Sequence, residues 1–358
     1  MKLIKTIDAV GQVLCHDITQ IIPGEFKGRK FKKGHIVKEE DIPVLLSLGK
    51  DNLYVWEKSE GMVHENEGAL FLKELTAGEN LDFSEIKEGK IDFIAACDGL
   101  LKIDVDALFD LNCVGEIMMA TLHNNFIVNK GLKVAGTRVI PLVIDEKKLE
   151  DAKKVVGNRK IVNVVPFKPK KVGIVTTGNE VFYSRIVDKF GPVIEEKVKG
   201  FGCEVIGQTI CPDDKEIIKS AIKEFISQGA ELICCTGGMS VDPDDVTPTA
   251  IKETGADLVT YGSPILPGAM FLLAYYGEVP IMGIPGCAMY HKTTVFDIVL
   301  SRVLIDEKLD KYDIARYGHG GLCMNCDVCT YPACNFAKIL YLIFDYPHKH
   351  YTFKHFEI

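Results

Sequence analysis

No stretch of the chain approaches the roughly 20 consecutive apolar residues that a membrane helix needs, so no membrane partner is expected. Positive charge is also in deficit. Forty-two lysines and arginines against 50 aspartates and glutamates leave a net charge of −8. That balance argues against broad nucleic-acid binding, although backbone donors and a local field can still hold a small anion. Tryptophan is reduced to Trp56, most simply a packing residue. The opening run MKLIKTIDAVGQ meets Asp8 before any apolar run of signal-peptide length, so no targeting segment is expected. Twelve cysteines would suit a disulfide scaffold in a much shorter secreted chain, but eight are scattered through apolar strands and helices. Cys234-Cys235 read as buried core thiols, and the expected setting is reducing and cytoplasmic.

What is present is a soluble-type composition, 47% hydrophobic and 26% charged, long enough for two to four domains with cores of their own. Residues 1–60 alternate short apolar runs with turns such as Pro23-Gly24. A helix is expected at Glu39–Leu48 and a strand at Asn52–Trp56, giving a small α+β region. Residues 61–168 read as a second α+β region. Its expected elements are a helix near Gly68–Leu75, a strand pair around Lys90–Leu101, a helix near Leu108–Ala120 and a charged helix from Glu146 to Val156. Pro166 and Pro169 mark a linker.

From residue 169 to about 310 the pattern becomes regular strand–helix alternation. KVGIVTT, CEVIGQTI, ELICC, FLLAYY and VPIMGI read as strands. Helices are expected at Val187–Gly200, at Asp214–Gln228 and from about Tyr290 to Ile305. Buried strands separated by such helices predict an α/β domain whose parallel sheet is covered on both faces. One turn is conspicuous: Thr236-Gly237-Gly238-Met239-Ser240, then Asp242, Asp244 and Asp245, before a helix opened by Thr247-Pro248. Paired glycines let a backbone approach a ligand, and free N–H groups at a helix start attract anions. Carboxylates beside an anion call for a divalent cation. The sequence leaves two readings open: an anion site with Mg²⁺, or an ordinary strand–helix turn with solvated aspartates. A second turn, Thr177-Gly178-Asn179-Glu180, also falls at a strand carboxyl end, where open α/β sheets bind ligands.

Together TTGNE, CTGGMSVDPDD and GIPGC resemble the molybdopterin-binding fold of molybdopterin molybdenumtransferases and adenylyltransferases over about residues 170–305. The amino-terminal DAVGQVLCHDI and KKGHIVKEEDIPVLLSLGKDNLYVW are similar to transferase segments in divergent form. The resemblance implies that Thr177, Gly178 and Glu180 contact the ligand, as the family's TGDE loop does. It implies that Thr236, Gly237, Gly238 and Ser240 wrap a pterin phosphate or adenylate, that Asp245 handles Mg²⁺ or molybdate, and that Pro285 and Gly286 form the LPGNP-type turn. Asp245 and Glu180 are the catalytic candidates. Departures accompany the match: Asn179 stands for an aspartate, Leu266 and Ala269 flank Pro267-Gly268 where lysines are usual, Cys287 replaces an asparagine, and no MDGYA segment is present.

Residues 311–358 form a short Cys-rich module and tail. Cys323, Cys326, Cys329 and Cys334 have the spacing C-x2-C-x2-C-x4-C. Such crowding in a reducing cell favours a metal. The first three resemble a ferredoxin run, a Cys₄ zinc site tolerates the spacing equally, and free or redox thiols are the third reading. His319 reads as structural or solvated. The last twenty residues, with six aromatics and three of the nine histidines, read as an extension outside the packed fold rather than a histidine metal site.

Two functions follow from the resemblance. One is a molybdenum-cofactor biosynthesis enzyme, a molybdopterin molybdenumtransferase inserting molybdate with AMP release. The other is a non-catalytic molybdopterin carrier or sensor, to which the cysteine spacing, and not the resemblance, adds a Cys-ligated metal centre. Both imply a pterin ligand, a homo-oligomer and a molybdoenzyme as recipient.

Overall fold

Residues 2–22, 25–55, 61–240 and 242–338 are described by the computed structural model. Trp56, the Pro23-Gly24 turn, Val241 and the last twenty positions lie outside them. Packing divides the chain into two compact units. One comprises Met1–Ala96, Ile103–Leu122 and Lys130–Asn163; the other comprises Cys97–Lys102, His123–Asn129 and Val164–Ile358.

The first unit is α+β. Strands Lys2–Lys5 and Asn52–Val55 pair antiparallel, as do Ile18–Ile22 and Phe26–Phe31, and helix Asp41–Ser47 joins them around Leu14, Ile18, Leu45 and Leu53. An antiparallel sheet follows in the order Leu81–Phe83, Lys90–Ala95, Lys133–Val139, Ile117–Thr121. Two expectations are corrected here. The helix expected near Leu108–Ala120 runs only from Val105 to Cys113, because Gly115 and Glu116 both take left-handed φ, +83° and +61°, and end it. Ile117–Thr121 is then a sheet strand. The strands expected as a pair around Lys90–Leu101 belong to different sheets. Ala95 and Ala96 donate to the carbonyls of Leu132 and Asn80 instead of closing a hairpin, and Gly99–Ile103 pairs with Phe126–Val128. The charged helix Glu146–Val156 forms as expected, with Asp145 accepting the Lys147 N–H as its cap.

The second unit carries the α/β sheet. Its strands are β1 (Lys171–Thr177), β2 (Glu204–Cys211), β3 (Leu232–Thr236), β4 (Asp257–Tyr261), β5 (Leu272–Tyr276) and β6 (Val279–Ile284). They stand in the order β2-β1-β3-β6-β5-β4. The first four of that order are parallel, and β5 alone is reversed, pairing antiparallel with β6 on one side and with β4 on the other. The sheet is therefore mixed rather than wholly parallel. Tyr276 and Val279 are joined only by Gly277-Glu278, and so short a turn can close only an antiparallel hairpin; Gly277 supplies its φ of +60°.

Four helices cover the sheet: α1 (Phe190–Lys199), α2 (Lys215–Ser227), α3 (Thr247–Glu253) and α4 (Val295–Val303). Alternation along each strand sends residues to opposite faces. Val172, Ile174, Leu232 and Cys234 pack with α1 and α4, whereas Val175, Ile233 and Cys235 pack with α2 and α3. Cys234 and Cys235 are thus both core thiols, fully buried, and burial raises the pKa of each. On α2, Ile218, Ala221, Ile222 and Phe225 recur at helical spacing and are buried. The Phe225 ring lies where Gly173 and Gly207 leave room; a Cβ at Gly173 would stand 2.6 Å from its Cγ. α4 is shorter than expected: Gly286–Met289 is a separate 3₁₀ turn, and Thr294 opens the helix with a capping box to Asp297. α1 likewise starts at Phe190 rather than Val187, after Asp188 accepts the Phe190 and Gly191 N–H groups.

Candidate functional site

β1, β3 and β6 are adjacent and parallel, so their carboxyl ends open on the same edge of the sheet. There lies a cavity of about 990 Å³ lined by Thr177, Glu180, Gly237, Gly238, Ser240, Asp245, Pro285 and Gly286, all expected site residues. Thr236 does not reach it. It is buried behind the wall and donates to Thr176 Oγ1 at 3.1 Å.

The glycines are there because the turns nearly touch. Gly237 has φ +84°, and a Cβ on it would fall 2.1 Å from the Thr177 carbonyl oxygen. Gly238 has φ +54°, with a Cβ 2.8 Å from Thr247 Oγ1. Behind them Thr177 Oγ1 and Thr247 Oγ1 share a buried hydrogen bond of 2.9 Å that joins β1 to the first residue of α3. The aspartate turn is held from two sides. Asp245 accepts the Asp242 N–H at 3.0 Å, and Tyr261 Oη donates to the carbonyls of Met239 and Ser240 at 3.1 and 3.0 Å.

The acids crowd. Burial, and then the charges of Glu180, Asp244 and Asp245, raise the Asp213 carboxyl against a bond from the Asn179 N–H. Asn179 and Asp213 face each other reciprocally: the Asn179 N–H donates to Asp213 Oδ2 at 2.9 Å, and the Asp213 N–H donates to Asn179 Oδ1 at 3.3 Å. An aspartate at 179 would set one more carboxylate against Asp213, so the asparagine keeps the hydrogen bond and avoids the repulsion. Of the cavity's charged lining among the described residues, Glu180, Asp188 and Asp245 are acidic and Lys189 alone is basic.

Several lining residues carried no sequence signal of function. Thr176 accepts from Gln208 Nε2 at 2.8 Å, and the same amide donates to Asp188 Oδ2 at 2.6 Å. Asp188 fell inside the helix expected at Val187–Gly200 and so carried no signal of its own. Apolar walls come from Ile186, Val187, Leu266, Met270 and Tyr290, and Cys287, its pKa raised by burial, lies at the third turn.

Cys323, Cys326, Cys329 and Cys334 line a second cavity of about 470 Å³ with Thr293, Tyr331 and Phe336. Among the described residues, no three His, Cys, Asp or Glu side chains are grouped so as to hold one metal ion. Nor is any described helix long and apolar enough to cross a membrane.

Residues 173–305 match a family model described as "Probable molybdopterin binding domain", and residues 3–57 match a domain of unknown function. A molybdopterin molybdenumtransferase from Synechococcus elongatus is 31% identical over 115 residues, covering 30% of this chain and 28% of the relative. A CinA-like protein from Mycobacterium tuberculosis is 34% identical over 90 residues, 25% of this chain and 21% of the relative. The chain thus spans less than a third of the length of these relatives. The structure of a molybdopterin biosynthesis MoeA protein from Pyrococcus horikoshii is similar over 75% of this chain and 79% of its own, at 17% identity and a TM-score of 0.32.

Proposed function

Because residues 173–305 belong to the molybdopterin-binding domain family, we propose that the chain serves molybdenum-cofactor biosynthesis by holding molybdopterin, or its adenylate, in the 990 Å³ cavity. One observation carries the reading: the turns after β1, β3 and β6 all line that cavity, with glycines at their closest approach. Backbone N–H groups at Gly237 and Gly238 and the Ser240 hydroxyl are suited to a phosphate. The Ile186, Val187 and Met270 walls suit a flat heterocycle.

The residues present also fit Mg²⁺. Two carboxylates in one cavity, Glu180 and Asp245, match an ion held by one or two acids, water and ligand phosphates. They would hold it, and the ion would supply the positive charge that Lys189 alone does not. In the enzymatic form of the reading, molybdate is inserted and AMP leaves. Gly237, Gly238 and Ser240 hold the phosphate, Asp245 and Glu180 organise the charge on the leaving group, and the apolar walls exclude water. The four cysteines hold iron–sulfur or zinc, a cytoplasmic homo-oligomer is expected, and a molybdoenzyme receives the product.

The acid-rich lining favours a second form, a carrier or sensor that binds without turnover, since preorganised charge is what most accelerates such chemistry. Incubation with adenylated molybdopterin, molybdate and Mg²⁺ separates the two. AMP release supports the transferase; tight binding without AMP leaves the carrier; absence of binding removes both.

A further inference from the structure

All four cysteines of the C-x2-C-x2-C-x4-C run line one cavity of about 470 Å³, and all are free thiols. Polar groups already face two of the sulfurs: the Asn325 N–H donates to Cys323 Sγ at 3.5 Å, and Thr293 Oγ1 and Cys329 Sγ share a hydrogen bond of 3.7 Å. Lys338 Nζ stands 5.4 Å from the centre of the Tyr331 ring, which lines the cavity, and 4.6 Å from that of Phe126. It brings a positive charge to a place where thiolate ligation would leave net negative charge.

The size of the shared space separates the candidate metals: the four thiols line one cavity of about 470 Å³. A zinc ion draws its sulfurs to about 2.3 Å from one centre and leaves no space between them. A [4Fe–4S] cluster keeps the same four thiolates further apart and fills the space itself.

We propose that the cavity binds an iron–sulfur cluster, with Cys323, Cys326, Cys329 and Cys334 as its ligands, each losing its thiol proton on binding. The site is argued from the thiols alone and stands whether or not the larger cavity binds a pterin. It is nevertheless a neighbour of that cavity. Tyr290 lines both, and Leu266 of the larger cavity's wall is stitched to the cysteine run: the Leu266 N–H donates to the Gly321 carbonyl and the Cys323 N–H to the Leu266 carbonyl, each at 2.8 Å.

The test uses the full chain, purified without oxygen and reconstituted with ferrous iron and sulfide. The expected result is about four iron and four sulfide per chain, with a broad absorbance near about 400 nm that dithionite bleaches. Cys326→Ser and Cys329→Ser should lose more than half of the iron and sulfide while keeping the parent far-ultraviolet circular dichroism. Cys113→Ser, which removes an exposed thiol outside the cavity, should keep the full content. Zinc bound at one per chain with no labile sulfide, iron without sulfide, or unchanged content in the cavity variants would each overturn the proposal.

Discussion

Gly237 is the residue on which the two central turns depend, since a methyl group there meets the Thr177 carbonyl oxygen at 2.1 Å and must also accept φ +84°. Gly237→Ala is expected to destabilise the protein by about 1–3 kcal/mol, read from urea midpoints. It should also weaken molybdopterin binding by about tenfold or more, read by titration. Asp213 offers a pH-dependent counterpart. Its carboxyl pKa is raised by burial and by Glu180, Asp244 and Asp245, so its charged form opposes folding above that raised value. The penalty is absent below the unfolded value, where both states are protonated. Asp213→Asn keeps an oxygen for the Asn179 N–H. It should therefore exceed the parent in stability at pH 7 and equal it near about pH 3, as denaturation at the two pH values would show. At this scale the glycines were legible because positive φ and close approach leave glycine alone. The role of Thr247 was not: a threonine beside Pro248 announces a helix start, whereas its bond to Thr177 spans 70 positions and leaves no local pattern.

At the scale of elements, α4 depends on a cap that a hydrophobic period cannot reveal. Apolar residues continue back through Met289 and Tyr290, so the sequence read as one helix from about Tyr290 to Ile305. Thr294 and Asp297 start it later by satisfying each other's backbone donors. Thr294→Ala should cost about 0.5–2 kcal/mol, measured by chemical denaturation. The same logic explains the other corrections. Strands β1 and β3 were plain because each is buried on both faces and nearly continuous in apolar residues. The helix ending at Cys113 was overextended because the apolar residues Ile117–Ala120 continue past Gly115, whose φ of +83° is the stop signal that ends it. The direction of β5 was hidden until the two-residue hairpin at Gly277-Glu278 was seen.

At the scale of the whole molecule, two compact units predict that heat unfolding will not be two-state. The calorimetric and van't Hoff enthalpies should differ. A ligand at about 100 times its Kd should add about 2.7 kcal/mol to the transition of the second unit, which contains the cavity, and leave the other transition in place. The division was only partly legible. Composition changes where regular alternation begins near Lys171, but the second unit also takes in Cys97–Lys102 and His123–Asn129, which no composition shift marks.

The two hydrogen bonds between Leu266 and the Gly321–Cys323 stretch have a consequence for descent. A residue inserted between Ile265 and Pro267 would displace the wall of the larger cavity and also drag Cys323 out of register with its three companions. Individual thiols can be lost one codon at a time, but the lengths of the two loops can change only together. A lineage that remodels the larger cavity through this loop must therefore rebuild the cysteine run in the same step or abandon it.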